Sequence, residues 1–311
     1  MAAAVEVLNV TKTYDDLIAV NHVSLSVPRG ATLGLIGPNG AGKTSLLRIM
    51  STLSQADEGD VLIEGCSVHK EPGRVRRKLG FMPAEFGCPR NVTIEEYLDF
   101  FACMYDLTDG ERRQRVRDVC ELTDLAGRED VLVKGLSTGN KQRLLLAKTL
   151  LHDPTVLILD EPASGLDPRA RNELRAIIRT LASLDKAIII SSHILPDIED
   201  ISDCIGILEA GHLVVQGDLA TLQTQHQTPQ RTVRIKVPCE VALRACELLR
   251  ALPKVTACEI RDQQIIVSSD ESSKNFLLAA LLRADIRILQ FSENELNLED
   301  IFMRSTAGRV T

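Results

Sequence analysis

The chain has 311 residues, a length that suggests two domains or one large domain with an appendage. Hydrophobic residues make up 44% and charged residues 25%, a globular mix that excludes collagen-like and disordered classes. Thirty-six Lys plus Arg stand against 43 Asp plus Glu, a formal net charge of −7, so no global positive field draws the chain to nucleic acid or anionic lipid.

No nucleic-acid partner is therefore expected, and any membrane attachment must be local. The longest uninterrupted apolar run, residues 276–282, has seven residues, against the roughly 20 that a spanning helix requires. Residues 1–6 lack a basic stretch followed by an apolar one, so no secretory signal is expected and the cytoplasm is the expected compartment. The eight cysteines form no CxxC pair and have no histidine at metal-ligand spacing, which reads as reduced, mostly buried thiols.

Alternating residues at 5–10 and 23–27 predict half-exposed strands, and the apolar runs at 32–36, 61–64, 156–160 and 187–191 have strand character. Helical spacing opens near Gly42 and again from Asp167, which gives α/β layering. Residues 205–208 and 212–215 again read as half-exposed strands, so an antiparallel edge sheet is expected beside the parallel one. Between 92 and 151 strand signals vanish and helical spacing takes over at 95–104, 111–122 and 139–151: a helical subdomain of about 91–151 is inserted. Residues 221–231, polar with one proline, have the character of a linker. From 232 to 311 the order is β-α-β-β-α-β, that of a small ferredoxin-like α+β domain, followed by an amphipathic segment at 296–303.

Gly37-Pro38-Asn39-Gly40-Ala41-Gly42-Lys43-Thr44 fits G-x-x-x-x-G-K-[ST], directly after an apolar strand and before a helical pattern. Glycines let successive backbone N–H groups turn around phosphate oxygens, and the following helix offers its N-terminal donors. Lys43 is then expected to place a full charge on the β and γ phosphates, and the Thr44 hydroxyl to serve as a ligand for Mg²⁺. The strand at 156–160 ends in Asp160 and Glu161. A parallel strand carries its ligand-facing groups at its C-terminal end, so Asp160 suits Mg²⁺ as the Walker B acid. Glu161 suits the general base that orients water for attack on the γ phosphate.

With these motifs in place, the sequence resembles the nucleotide-binding subunit of ATP-binding-cassette (ABC) transporters over residues 5–220. The resemblance implies a P-loop NTPase domain at 1–220 that binds and hydrolyses ATP with Mg²⁺. It places Tyr14 against adenine, His193 in Ser191-Ser192-His193 at the switch-histidine position toward the γ phosphate, and Asp167 in the D-loop. Leu136-Ser137-Thr138-Gly139-Asn140-Lys141-Gln142-Arg143 looks like the family signature LSGGQ-x-Q-R. In the implied head-to-tail dimer, Ser137 and Gly139 of one copy meet the ATP held by the other. A separately encoded multi-span permease is the implied partner, holding the chain at the cytoplasmic face of the inner or plasma membrane.

Two departures stand out. The family's Q-loop glutamine is replaced by Ala84, beside which Glu85 is a candidate substitute, and Thr138 and Asn140 replace signature residues. Tyr97, Phe100, Phe101 and Tyr105, four of ten aromatics, form one helical stripe, read either as the subdomain's core or as a socket for a permease helix. That stripe, the Phe81-Met82-Pro83 stretch and Leu298-Glu299-Asp300-Ile301-Phe302 resemble exporter ATPases of the multidrug and antibiotic-resistance type. Two alternatives are a soluble cassette ATPase without permease and a weakly hydrolysing regulatory module. Against the first, a single phosphate loop is present, and the 117 residues from Lys43 to Asp160 leave no room for a long coiled coil.

Overall fold

The computed structural model describes residues 3–84, 87, 89, 91–218, 221–222, 231–261, 264–269, 271, 273–293 and 298–306. The chain divides into two compact units, residues 1–219 with 302–311, and residues 220–301.

In the first unit, β1 (Ala3–Tyr14) and β2 (Leu17–Pro28) form an antiparallel pair, and β3 (Thr32–Ile36) leads through the glycine loop into α1 (Lys43–Met50). β4 (Glu58–Ile63) and β5 (Cys66–Ser67) complete an antiparallel sheet of order β2-β1-β4-β5. After α2 (Pro72–Lys78) and β6 (Leu79–Met82) come the helices α3 (Ile94–Met104), α4 (Asp109–Leu122) and α5 (Thr138–Leu150). The chain then runs β7 (Val156–Asp160), α6 (Pro168–Ser183), β8 (Ala187–Ser192), α7 (Leu195–Glu199), β9 (Cys204–Glu209) and β10 (His212–Asp218). The resulting six-stranded sheet has the order β10-β9-β3-β8-β7-β6. All its pairs are parallel except that of β10, which lies antiparallel on the edge.

Parallel strands covered on both faces read as continuous apolar runs, and β3, β7 and β8 are buried at every position. One face of that sheet, with Leu33, Leu35, Val156, Ile158 and Ile189, packs with α1 and the antiparallel sheet into one core. At eight residues α1 is too short to be stable alone. Leu46, Leu47, Ile49 and Met50 are buried in that core, each contributing roughly 1.5–3 kcal/mol, and the same packing fixes the loop that precedes the helix. On the other face Gly34 lets α7 approach, since a Cβ there would lie 2.1 Å from Ile198.

One predicted strand changes in the structure and one strand is added. β9 is buried and parallel to β3 rather than half-exposed in an antiparallel sheet, because both its faces are covered. β6 carries no strand signal in the sequence: it is four residues long and interrupted by Gly80, where a Cβ would meet the Thr149 carbonyl at 2.7 Å.

The helical subdomain begins its helices with capping boxes. The Thr93 hydroxyl accepts from the Glu96 N–H at 3.2 Å while Glu96 accepts from the Thr93 N–H at 2.8 Å, and Thr108 with Glu111 repeats the motif. The aromatic stripe divides. Tyr97 is buried, Phe101 packs edge-on against it at 4.9 Å under Lys148, and Tyr105 stacks on His152 at 4.1 Å, whereas Phe100 is 62% exposed.

His152 Nε2 donates to the Leu79 carbonyl at 3.0 Å, and its buried Nδ1 is without a partner. Burial holds this imidazole below its ordinary value of 6.5, although the Leu79 carbonyl and Asp153 pull the other way. The native state therefore keeps the ring neutral, and the unfolded chain takes up the proton first as pH falls. Its contribution to stability is present above pH 6.5 and is lost as pH drops toward the depressed native value. The expected result is a fall in Tm between about pH 7.5 and about pH 5.5 that is steeper in the native chain than in His152→Gln, read by thermal melts at both pH values.

In the second unit, β11 (Arg231–Lys236), α8 (Ala242–Arg250), β12 (Val255–Arg261), β13 (Gln264–Ser269), α9 (Asn275–Arg283) and β14 (Gln290–Glu293) follow one another. Their sheet has the order β12-β13-β11-β14, antiparallel throughout, as the β-α-β-β-α-β pattern requires. Val233, Ile235, Leu249, Ile265, Val267, Leu277 and Leu281 form its core. β14 starts only at Gln290, since the Ile286 N–H still caps α9 through the Leu281 carbonyl at 3.0 Å. The chain continues to α10 (Leu298–Ser305).

Of the described cysteines, Cys66, Cys120, Cys246 and Cys258 are buried, and Cys103 and Cys239 are exposed; all are free thiols. No helix among the described residues is long and apolar enough to cross a membrane.

Candidate active site

The glycine loop is held from two sides. Gly42 has φ +98°, a region open to glycine, and a Cβ there would lie 2.0 Å from the Ala19 carbonyl of β2. At Gly37 a Cβ would lie 2.3 Å from the Leu208 carbonyl of β9. The Gly211 N–H donates to the Ala41 carbonyl at 3.1 Å and closes the frame. α1 starts at Lys43 with no side-chain cap and no acidic residue in its first turn, so no side chain competes for its N-terminal donors or opposes its dipole.

Lys43 is 7% exposed, and its ammonium donates to the Gly37 and Pro38 carbonyls at 2.7 and 3.1 Å. Burial lowers its pKa, while the charges of Glu161 and Asp160 pull it back up. A cation held in this way gains from the arrival of a polyanion.

Asp160 ends β7 at 2% exposure, and the Ser191 hydroxyl donates to its Oδ1 at 2.6 Å. Glu161 follows with φ +50°, a left-handed conformation uncommon for a residue with a side chain. Its Oε2 lies 2.8 Å from His193 Nδ1, just beyond the end of β8. One cleft is lined by Tyr14, Asn39 to Ser45, Ala84, Glu161, Ser164 and His193. The structure therefore brings together the adenine, phosphate-loop, carboxylate and switch-histidine candidates. Tyr14, at the end of β1, is 40% exposed, with Lys12 Nζ 5.4 Å from its ring centroid. Ala84 presents only a methyl to the cleft, and Glu85 lies outside the described residues.

Ser137, Gly139 and Asp167 stand elsewhere. Ser137 caps α5 by accepting from the Asn140 N–H at 3.4 Å, and Asp167 caps α6 by accepting from the Ala170 N–H at 2.9 Å. A Cβ on Gly139 would meet that of Ala170 at 3.3 Å, so glycine lets the two helix starts lie side by side. They line a second cleft with Gly165 and Arg169. Beneath it the buried Arg143 pairs with Asp124 and with Glu173, the latter at 2.6 Å.

The sequence reading assigned no role to Ser191, Ser164 or Ser45. For Ser191 a signal was present: it lies in the apolar strand two residues before the switch-histidine candidate, and the parallel pairing sets it opposite Asp160 at the end of β7.

A glycine loop between a buried strand and a helix, with two carboxylates at the end of a nearby parallel strand, defines a P-loop NTPase. The family model described as "ABC transporter" matches residues 20–164, and that described as "ATP-binding protein DrrA1-3-like, C-terminal domain" matches residues 217–306. The chain is 32% identical over 304 residues to the linearmycin resistance ATP-binding protein LnrL of Bacillus subtilis, covering 96% of each chain. It is 31% identical to the bacitracin transport ATP-binding protein BcrA of Enterococcus faecalis, over 99% of this chain and 98% of that one. It is also 31% identical to the Nod factor export ATP-binding protein I of Rhizobium meliloti, over 97% and 88%.

Among solved structures, an ATP-binding subunit of an ABC transporter superposes with a TM-score of 0.65 at 28% identity, over 71% of this chain and 92% of that one. The cassette MJ0796, in a dimeric post-hydrolysis state bound to ADP and Pi, shares the fold with a TM-score of 0.64 at 24% identity, over 69% and 98%. The chain belongs to the ABC transporter family and is its ATP-binding, ATP-hydrolysing subunit, similar over nearly its whole length to ATP-binding proteins named for export, transport and resistance.

Proposed function

We propose that the chain drives a separately encoded multi-span permease from the cytoplasmic face of the membrane, exporting its substrate through cycles of ATP-driven head-to-tail dimerisation. One observation carries this reading: the chain presents two separate half-sites, the cleft around Lys43, Glu161 and His193 and the paired helix starts at Ser137 and Asp167. Two copies facing each other complete both sites, with Ser137 and Gly139 of one copy closing over the nucleotide of the other. The names of the relatives, export and resistance proteins, favour the outward direction.

In each site Tyr14 stacks on adenine, and the N–H groups of Gly37, Pro38 and Asn39 to Thr44 that are present, proline having none, surround the phosphates with Lys43. Glu161 takes a proton from the attacking water, whose oxygen bonds to the γ phosphorus as the bond to the bridging oxygen breaks. His193 orients the Glu161 carboxylate and the terminal phosphate, and Asp167 carries the state of one site to the other through the D-loop.

The donor set fits Mg²⁺. Thr44 and Asp160 offer hard oxygens, and no cluster of three His, Cys, Asp or Glu among the described residues competes as a metal cage; such a site suits an ion that keeps phosphate and water ligands. When bound, Mg²⁺ supplies charge neutralisation on the β and γ phosphates. The Ala84 methyl adds no ligand.

The test is purification of the tagged chain from detergent extracts of its own cells. The expected result is a multi-span membrane protein in stoichiometric amount. A chain that purifies alone with full ATPase activity, from extracts in which membrane proteins stay solubilised, favours the permease-free reading instead.

A further inference from the structure

One side chain links the two strands that carry the acid–base groups of the cleft. Ser191 is fully buried in β8 and stands opposite Asp160 in the parallel pairing of β7 with β8. Its hydroxyl donates to Asp160 Oδ1 at 2.6 Å and accepts from the Glu161 N–H at 2.9 Å. At that point the chain turns with φ +50° at Glu161, a conformation that persists only where neighbours over-determine it. Two residues beyond Ser191, His193 meets the Glu161 carboxylate at 2.8 Å.

From this arrangement we infer that Ser191 is a positioning residue for hydrolysis: one hydroxyl sets the rotamer of Asp160 and clamps the turn that aims Glu161. The inference rests on the roles proposed above for those two carboxylates. Ser191 acts from beneath them and through them. Removing the hydroxyl leaves the carboxylate of the buried Asp160 without that donor and the Glu161 N–H without that acceptor. The two bonds are set before nucleotide arrives, so the groups need no reorganisation during the reaction.

Ser191→Thr and Ser191→Val test this as a matched pair, because the two side chains share shape and strand preference and differ in the hydroxyl. The expected result is a kcat lowered by about tenfold or more in the Val variant, the scale of a hydrogen bond to a charged group, with KM for ATP little changed and most of kcat recovered in the Thr variant. A second readout is affinity: by calorimetry the gain in ATP affinity on adding Mg²⁺ shrinks in Val and is kept in Thr, while binding of ATP in EDTA is alike in both. Equal turnover by Thr and Val, or a loss in Val that lies only in KM, overturns the inference. Lys43→Ala is assayed alongside; its hydrolysing ATP at the native rate overturns the underlying assignment of the cleft, an outcome distinct from the first.

Discussion

Lys43→Ala is expected to abolish ATP hydrolysis, lowering kcat by about 10²–10³-fold or more, the scale of losing a preorganised donor to transition-state charge. The reason is the charge inventory of the cleft. Among its described lining residues Lys43 is the one lysine or arginine, while Asp160 and Glu161 act on it as neighbouring negative charges. Without the ammonium, a triphosphate would meet those carboxylates with no cationic side chain from the cleft's described lining, leaving backbone dipoles and any bound Mg²⁺ to offset them. The methyl of alanine also leaves the Gly37 and Pro38 carbonyls without the donor they share. Phosphate release by the purified variant measures the effect, and turnover at the native rate would show that the cleft is not the catalytic one.

Glu161→Gln separates binding from chemistry. The amide has the shape of the carboxylate and its oxygen can accept from His193 Nδ1, which now lies 2.8 Å from Glu161 Oε2, but it cannot take a proton from water. The expected loss in kcat is about 10²–10⁴-fold, the usual contribution of a general base, with ATP affinity retained. Because ATP persists, the variant should accumulate as a species of twice the monomer mass in MgATP and return to monomer when ATP is removed. Light scattering after size exclusion reads both states. A variant that turns over at the native rate refutes the role of Glu161, and one that stays monomeric with ATP bound refutes the two-copy site.

The phosphate loop could be read from the sequence because its determinants are local: eight consecutive residues, a strand before them and a helix after. The capping boxes at Thr93 and Thr108 are equally local, yet neither was named from the sequence. What escaped depends on neighbours distant in the chain. Residues 205–208 alternate like an exposed strand, yet β9 is buried because β3 and β10 flank it and other elements cover both its faces. Leu79 to Met82 becomes a strand only because Val156 to Leu159 pairs with it. Ser191 matters because β8 aligns it with Asp160, 31 residues away. The aromatic stripe was periodic enough to mark a helix, but periodicity could not tell that Tyr97 and Phe101 pack together while Phe100 faces outward. The missing Q-loop glutamine at Ala84 was plain in the sequence, and the structure adds that the methyl faces the cleft.

The most direct measurement is a calorimetric titration of ATP with Mg²⁺ into the folded chain. Saturable binding of one nucleotide per chain, weakened in Lys43→Ala, is the predicted result; absence of heat from well-folded material at millimolar nucleotide would contradict the whole account.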